Sequence, residues 1–355
     1  MKGIILHGGS GTRLRPLTYT DVKQLLPIAG KPVSEYVLHN LMELGIRDIN
    51  IIIGEVGGKE VQDYYGNGSK WGINISYTYQ GKPLGIAHAI GMVSNFVGNE
   101  EFVVALGDNY FQNGFTSLQK EYDSKGFDAL IALTPVNDPK KFGVAEVNGN
   151  TITRLVEKPK EPKSNLAIAG VYFLNQKIFP IIKKLKPSAR GELEITDAIQ
   201  NLITEGNRVT YSVIRGWWKD TGTVEEFLDC NRMVLDKVSE NHSTIKTSAK
   251  IIGRVFIEED AFISDDSIIQ GPCFIGAGTR IEKSRIGPYT SIGRKCTING
   301  CEIDDSIVMD NSRISIPNGN RMISSLIGPN VAIEHENSVT GGYTFVLGRD
   351  SRVKL

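Results

Sequence analysis

Residues 4 to 18 read IILHGGSGTRLRPLT: an apolar run, a glycine-rich turn, then basic side chains. Glycines without a Cβ let backbone amides come close to a phosphate. Three phosphate-binding patterns can be compared with this stretch. A Walker loop needs Gly-Lys-Ser/Thr after four spacers, and no lysine stands there. A dinucleotide fingerprint fits at Gly9 and Gly11, but Leu14 occupies the third glycine position. What remains is a glycine loop that offers amides to phosphates and is followed by Thr12 and Arg13. An ordinary turn after a strand would use the same glycines.

Two aspartates have similar settings. Asp108 in LGDN and Asp220 in KDTGT each end an apolar or aromatic segment. Turn or capping roles are the plain alternative for both. The company these residues keep is more specific. GGSGTRLRPLT, followed by Lys23 in KQLLPIAGKP, resembles the signature of the sugar-1-phosphate nucleotidylyltransferases. The likeness continues in the family's order through YQGKPLGIAHAI, LGDN, FGVAEV, VEKP, AGVYF, RGELEITDAI and WWKDTGT, from residue 3 to about 232.

The resemblance implies a reaction in which glucose 1-phosphate attacks the α-phosphorus of a nucleoside triphosphate and releases pyrophosphate. A phosphate monoester with second pKa ~6 is largely dianionic at neutral pH, so no general base is required. Catalysis then rests on positioning and charge stabilisation. By resemblance, Leu6, Gly8, Gly9, Gly11, Thr12, Arg13, Lys23 and Gln24 bind the nucleotide, with Arg13 and Lys23 on its phosphates. Asp108 and Asp220 match the family's metal ligands, and Mg²⁺ is the expected cofactor. Gln80 reads the base, in a turn shaped by Pro83 and Gly85. Relatives that use purines tend to carry GTA after this glycine, whereas this chain has GIAHA. That favours a pyrimidine, dTTP with UTP as the alternative. Lys158 binds the sugar phosphate and Glu157 the sugar hydroxyls. Asn109, Gly143 and Ile168 complete that side, Gly170 allows close approach, and Trp218 packs on the sugar or in the core. Glu192 and Glu194 are expected to support the site from behind or to start a helix. His7 stands where many relatives carry alanine, either as a buried structural residue or beside the nucleotide.

These groups need a scaffold. GIIL, INIIIG, NISYTY and EFVVALGD read as strands. PVSEYVLHNLMELGI places Val33, Val37, Leu41 and Leu44 on one helical stripe, and a second helix begins near Ile86. Alternating strands and helices predict an α/β, Rossmann-like domain with a mostly parallel sheet and ligands beyond the C-terminal strand ends. This domain is expected over residues 1–235, with a linker at 236–250.

A different grammar follows. Ile251, Ile257, Ile263, Ile269, Ile275 and Ile281 recur every six residues, and after one step of five come Ile286, Ile292 and Ile298. Small residues follow at a fixed offset, with Arg285 the exception. The pattern resembles the hexapeptide-repeat left-handed β-helix family and predicts such a domain over 251–345, less regular beyond 300, then a tail at 346–355. Small interior slots explain Cys273 and Cys296, and no zinc site is expected at Cys296 and Cys301. An acyltransferase activity in the β-helix would need a histidine base, and neither His242 nor His335 has such a context. Self-association into a homo-oligomer is the expected role of its flat faces.

The 355-residue chain carries forty basic and forty acidic side chains, which argues against general nucleic-acid binding or a polybasic membrane anchor. No apolar run approaches a membrane span, no signal peptide is recognised, and four cysteines suggest no disulfide scaffold. A cytoplasmic protein is expected.

Overall fold

The computed structural model describes residues 1–9, 11–239, 247–316, 320–334, 341–343 and 345–354. It divides into two compact units. One contains Met1–Gly9 and Val33–Asp220, the other Ser10–Pro32 and Thr221–Leu355.

The first unit is built on a nine-stranded sheet. Its parallel part runs Asn74–Gly81, Asp48–Gly54, Lys2–His7 and Phe102–Leu106 in spatial order. The run DINIIIG shows why: Ile49, Ile51, Ile52 and Ile53 are all buried, so both faces of the strand are covered. Val33–Glu43 forms the expected helix and buries Val33, Val37, Leu38 and Leu41, while Leu44 falls just beyond its end. Leu166–Leu174 then pairs antiparallel with Phe102–Leu106 and opens an antiparallel half that includes Gly143–Asn148, Thr151–Glu157 and Ala129–Pro135. The sheet is thus mixed. Its parallel half sets the edge where the glycine turn and LGDN emerge, as expected for a strand with neighbours on both sides.

The second unit carries three six-stranded parallel sheets whose strands succeed one another in turn, the arrangement of the hexapeptide β-helix. Ile257, Ile263, Ile269, Ile275, Ile281, Ile286, Ile292 and Ile298 are all buried inside it. The small inward positions are chemically active in a structural sense. Thr279 Oγ1 donates to the Gly293 carbonyl at 2.6 Å, Cys273 Sγ to Gly287 at 3.1 Å, and Cys296 Sγ to Met309 at 3.2 Å. Each side chain thereby satisfies a corner carbonyl that the parallel ladders leave over. Burial pushes the Cys273 and Cys296 thiols up to about 12 and the Cys301 thiol up to about 11.

Two sequence expectations shift. The irregular Arg285 is exposed because Ser284, buried beside it, takes the interior slot once the repeat shortens by one residue. The region expected to be a tail also contains strands. Val346–Leu347 pairs with Leu326–Ile327, and Arg352–Lys354 with Ala332–Glu334, so the coils continue past 345. Past 300 the interior is still filled, by Ile303, Val308, Ile314, Met322, Ile327 and Ile333, but at unequal steps, as the less regular repeat predicts. His242, His335 and residues 240–246 of the expected linker lie outside the described residues. Among the described residues, no helix is long and apolar enough to cross a membrane.

Candidate active site

In the first unit, three groups of predicted residues meet at the sheet edge. The first surrounds Gly8. The Lys2–His7 strand delivers it beside Gln80, whose Oε1 lies 3.4 Å from where a Gly8 Cβ would stand. Gln80 Nε2 is 3.2 Å from the Gly85 carbonyl and 3.1 Å from His88 Nδ1. A carbonyl only accepts, so the amide nitrogen must face Gly85 and the oxygen is turned toward Gly8. Gly85 itself, at φ +104°, has the Leu193 backbone within 2.4 Å of its Cβ position; only glycine fits there. Pro83 is exposed in this turn; Leu6 is buried, with its carbonyl accepting the Gly107 N–H at 2.9 Å.

The second group holds the carboxylates. Asn109–Phe111 and Trp218–Asp220 form a two-stranded antiparallel ladder that sets Asp220 opposite Asn109. Asn109 is buried and donates from Nδ2 to Asp108 Oδ1 at 2.8 Å. Two short segments more than a hundred residues apart in sequence thus set Asp220 opposite the residue that follows Asp108. Hard oxygen donors in a pair suit Mg²⁺, which takes one or two carboxylates and fills its other positions with substrate phosphate and water.

The third group surrounds Gly143. A Cβ there would lie 2.8 Å from Thr196 Cγ2, 3.0 Å from Glu157 Oε2 and 3.1 Å from Ile168 Cδ1. Lys158 follows Glu157 in a left-handed turn at φ +41°, with its N–H on the Phe142 carbonyl at 3.0 Å and its Nζ 3.9 Å from Glu157 Oε1. Burial, and then the neighbouring Glu194, raise the Glu157 pKa. Trp218 is half-buried; its Nε1 donates to the Ala169 carbonyl at 3.1 Å and its ring meets Phe142 edge-on. Gly170, at φ +74°, gives way to Leu106.

Sequence reading missed two members of this group. Arg190 Nη1 reaches Glu157 at 3.2 Å and Glu194 at 3.3 Å, while Nη2 reaches Glu192 at 3.0 Å. Thr196 Oγ1 is buried with no hydrogen-bond partner, beside Gly143. Both lie in RGELEITD, where the acidic residues alone drew notice. Glu194 takes the helix-start position expected of it, preceding Ile195–Thr204 and accepting from Ser188 Oγ at 2.8 Å. His7 is buried, its ring edge-on to Tyr65, with neither ring nitrogen hydrogen-bonded; desolvation lowers its pKa to about 3.

Gly11, Thr12, Arg13, Lys23 and Gln24 belong to the second unit. Gly11 sits at φ +55° before the turn Thr12–Leu14, which Leu14 anchors by complete burial. Thr18 Oγ1 donates to the Gly11 carbonyl at 2.7 Å. The Arg13 guanidinium lies 2.8 Å from where a Gly222 Cβ would stand, two residues beyond Asp220 in the chain. Lys23 and Gln24 are buried in the next turn.

Gly8 with Gln80, the Asp220–Asn109 ladder beside Asp108, and the Glu157 cluster thus belong to one α/β unit of the nucleotidyltransferase class. The chain belongs to the nucleotidyl transferase family, whose model matches residues 2–237. It is 43% identical to the low-salt glycan biosynthesis nucleotidyltransferase of Haloferax volcanii over the whole of both chains. It is also 43% identical to a glucose-1-phosphate thymidylyltransferase of Streptomyces antibioticus, over all of this chain and 99% of that one. The thymidylyltransferase of Neisseria meningitidis is 42% identical over 63% of this chain and 79% of its own. Among solved structures, a glucose-1-phosphate thymidylyltransferase from Bacillus anthracis superposes with a TM-score of 0.62 at 42% identity, covering 66% of this chain and 94% of that one. A UDP-glucose pyrophosphorylase bound to UDP-glucose gives 0.60 at 28% identity, over 66% and 98%.

Proposed function

We propose that this protein is a Mg²⁺-dependent glucose-1-phosphate thymidylyltransferase that makes dTDP-glucose and pyrophosphate. The observation that carries the proposal is the ladder that pairs Asp220 with Asn109 beside Asp108, on the edge that also presents Gly8 and Gln80. When bound, Mg²⁺ supplies positive charge to the triphosphate and to the charge that develops as the bond to pyrophosphate breaks. Asp108 and Asp220 would hold it.

The chain's own groups do the rest. With its amide nitrogen committed to Gly85 and His88, Gln80 offers an acceptor, Oε1, to the N3–H of the base. Thymine and uracil carry that proton; cytosine presents a lone pair there and is refused. Gly143, Ile168, Thr196 and Glu157 form the sugar wall, with the Glu157 carboxylate on its hydroxyls. Lys158 and Arg190, both drawn to Glu157, supply cations for the sugar phosphate and aim its oxygen at the α-phosphorus. Arg13 and Lys23 meet the β- and γ-phosphates, where negative charge grows as the bond breaks. We further read the protein as cytoplasmic and self-associating, the latter measurable by light scattering.

The test is pyrophosphate release by the purified protein, crossing dTTP, UTP, ATP and GTP with several sugar 1-phosphates. The highest kcat/KM is expected for dTTP with glucose 1-phosphate. Uracil presents the same edge to Gln80, so UTP is the nearest competitor, and a clear preference for it would replace this reading with a uridylyltransferase.

A further inference from the structure

Each β-helix strand turns alternate residues inward and outward. At equivalent outward positions, one sheet presents Lys250, Ile268, Arg285, Glu302 and Arg321. A second presents Phe262, Arg280, Thr297 and Arg313. The third differs: its column is Phe256, Phe274, Ser291, Ile307 and Leu326. From Phe274 onward these four residues are buried, at 5%, 3%, 2% and 0% exposure. At Phe274 and Ser291, elements of the same unit meet the column.

Those elements are the helix Val224–Leu235 and the segment Ser10–Pro32 that carries Arg13 and Lys23. The Phe274 ring fills the space a Gly30 side chain would need, with its nearest atom 2.1 Å from that Cβ position. Asn231, only 1% exposed, ties the three parts together. Its Oδ1 accepts the Ala29 N–H at 3.1 Å and the Ser291 hydroxyl at 2.7 Å; its Nδ2 donates to the Tyr289 carbonyl at 3.1 Å. Ala29 and Tyr289 are both left-handed, at φ +45° and +62°, so the amide fixes two turns that would otherwise relax. Farther along, Arg349 pairs with Asp21, and the Pro16 carbonyl lies 3.1 Å from the Gly348 Cβ position.

We infer that Asn231 is a positioning residue for triphosphate binding: through it the β-helix holds the segment that bears Arg13 and Lys23. The inference rests on the phosphate reading of those two cations. It gives the β-helix a part in the reaction besides assembly.

The test uses the full chain with Asn231→Ala. Amides of residues 10–32 should exchange at least about tenfold faster with deuterium, while those of the Lys2–His7 strand keep their protection. The KM for the triphosphate should rise about tenfold and that for the sugar phosphate stay unchanged. Should Asn231→Ala fail to fold, Arg349→Ala at the exposed pair should give the same pattern at about threefold, reversed by Arg349→Lys. Unchanged exchange in 10–32, or equal rises in both KM values, overturns the inference. Faster exchange with an unchanged triphosphate KM also overturns it. Lys23→Ala, which removes none of the three Asn231 hydrogen bonds, then separates the two ideas: a raised triphosphate KM in that variant upholds the phosphate reading while the positioning role falls.

Discussion

Asp220 pairs across a two-stranded antiparallel ladder with Asn109, the immediate neighbour of Asp108. Asp220 is therefore set by the backbone ladder, and Asp108 is tied to it through the Asn109 amide, which donates to its Oδ1. Asp220→Asn keeps the shape and removes one charge. It should cut turnover by roughly a hundredfold or more and move the Mg²⁺ dependence to higher concentration. Chelation should abolish wild-type activity and added Mg²⁺ restore it. Full turnover in the variant would remove Asp220 from the metal site.

Gln80 faces Gly8 with its oxygen because Gly85 and His88 hold its nitrogen. Gln80→Leu should raise the dTTP KM about 10- to 100-fold, matching the ~1–3 kcal/mol cost of an unmade hydrogen bond to a buried group. The KM for glucose 1-phosphate should not move. Steady-state kinetics with each substrate varied in turn checks the split.

Gly143 has no room for a side chain in the proposed sugar wall. Gly143→Ala sets a methyl 2.8 Å from Thr196 Cγ2 and 3.0 Å from Glu157 Oε2. The sugar-phosphate KM should rise about tenfold or more, since overpacking displaces its neighbours. Adding Thr196→Ser removes the nearer methyl and should recover part of the loss. Equal effects on both substrates would contradict a role confined to the sugar.

His7 links folding to pH. Unfolded, its imidazole takes a proton near 6.5; folded, burial holds that event down to about 3. Between those values the unfolded chain binds one more proton, so stability falls as pH falls, by about 1.4 kcal/mol per unit at most. Above pH 6.5 the group adds no slope. His7→Ala should flatten the acid limb by one proton's worth, read from denaturant unfolding at several pH values. An unchanged slope would show that His7 is protonated in the fold.

Much of this architecture is legible in the sequence, for physical reasons. The β-helix declares itself because each coil must fill one interior slot with a large apolar residue, and isoleucine repeats on that period. The exception at Arg285 conceals Ser284, because a shortened corner moves the register by one residue. Past residue 300 the steps between inward residues vary, as from Ile314 to Met322, and periodicity alone cannot follow them. The motif residues around Gly143 and Asp108 were readable as a set, but their meeting depends on strand pairing between distant segments. Arg190 and Thr196 sit between acidic and apolar neighbours that draw the eye. The grouping of Ser10–Pro32 with the β-helix was hidden, since Gly30 meets Phe274 across 244 positions of chain. A signal existed in the outward column from Phe256 to Leu326, which is apolar at every position but Ser291 where its two counterparts are largely charged.

The central claim is that a cation held by Asp108 and Asp220 serves nucleotidyl transfer to a sugar 1-phosphate. Pyrophosphate release from dTTP and glucose 1-phosphate, by wild type and by Asp108→Asn of equal thermal stability, tests it most directly. The account predicts Mg²⁺-dependent release that requires both substrates and falls at least about a hundredfold in the variant. Release that is absent from the wild type with every nucleotide and sugar phosphate, or undiminished in Asp108→Asn, would contradict it.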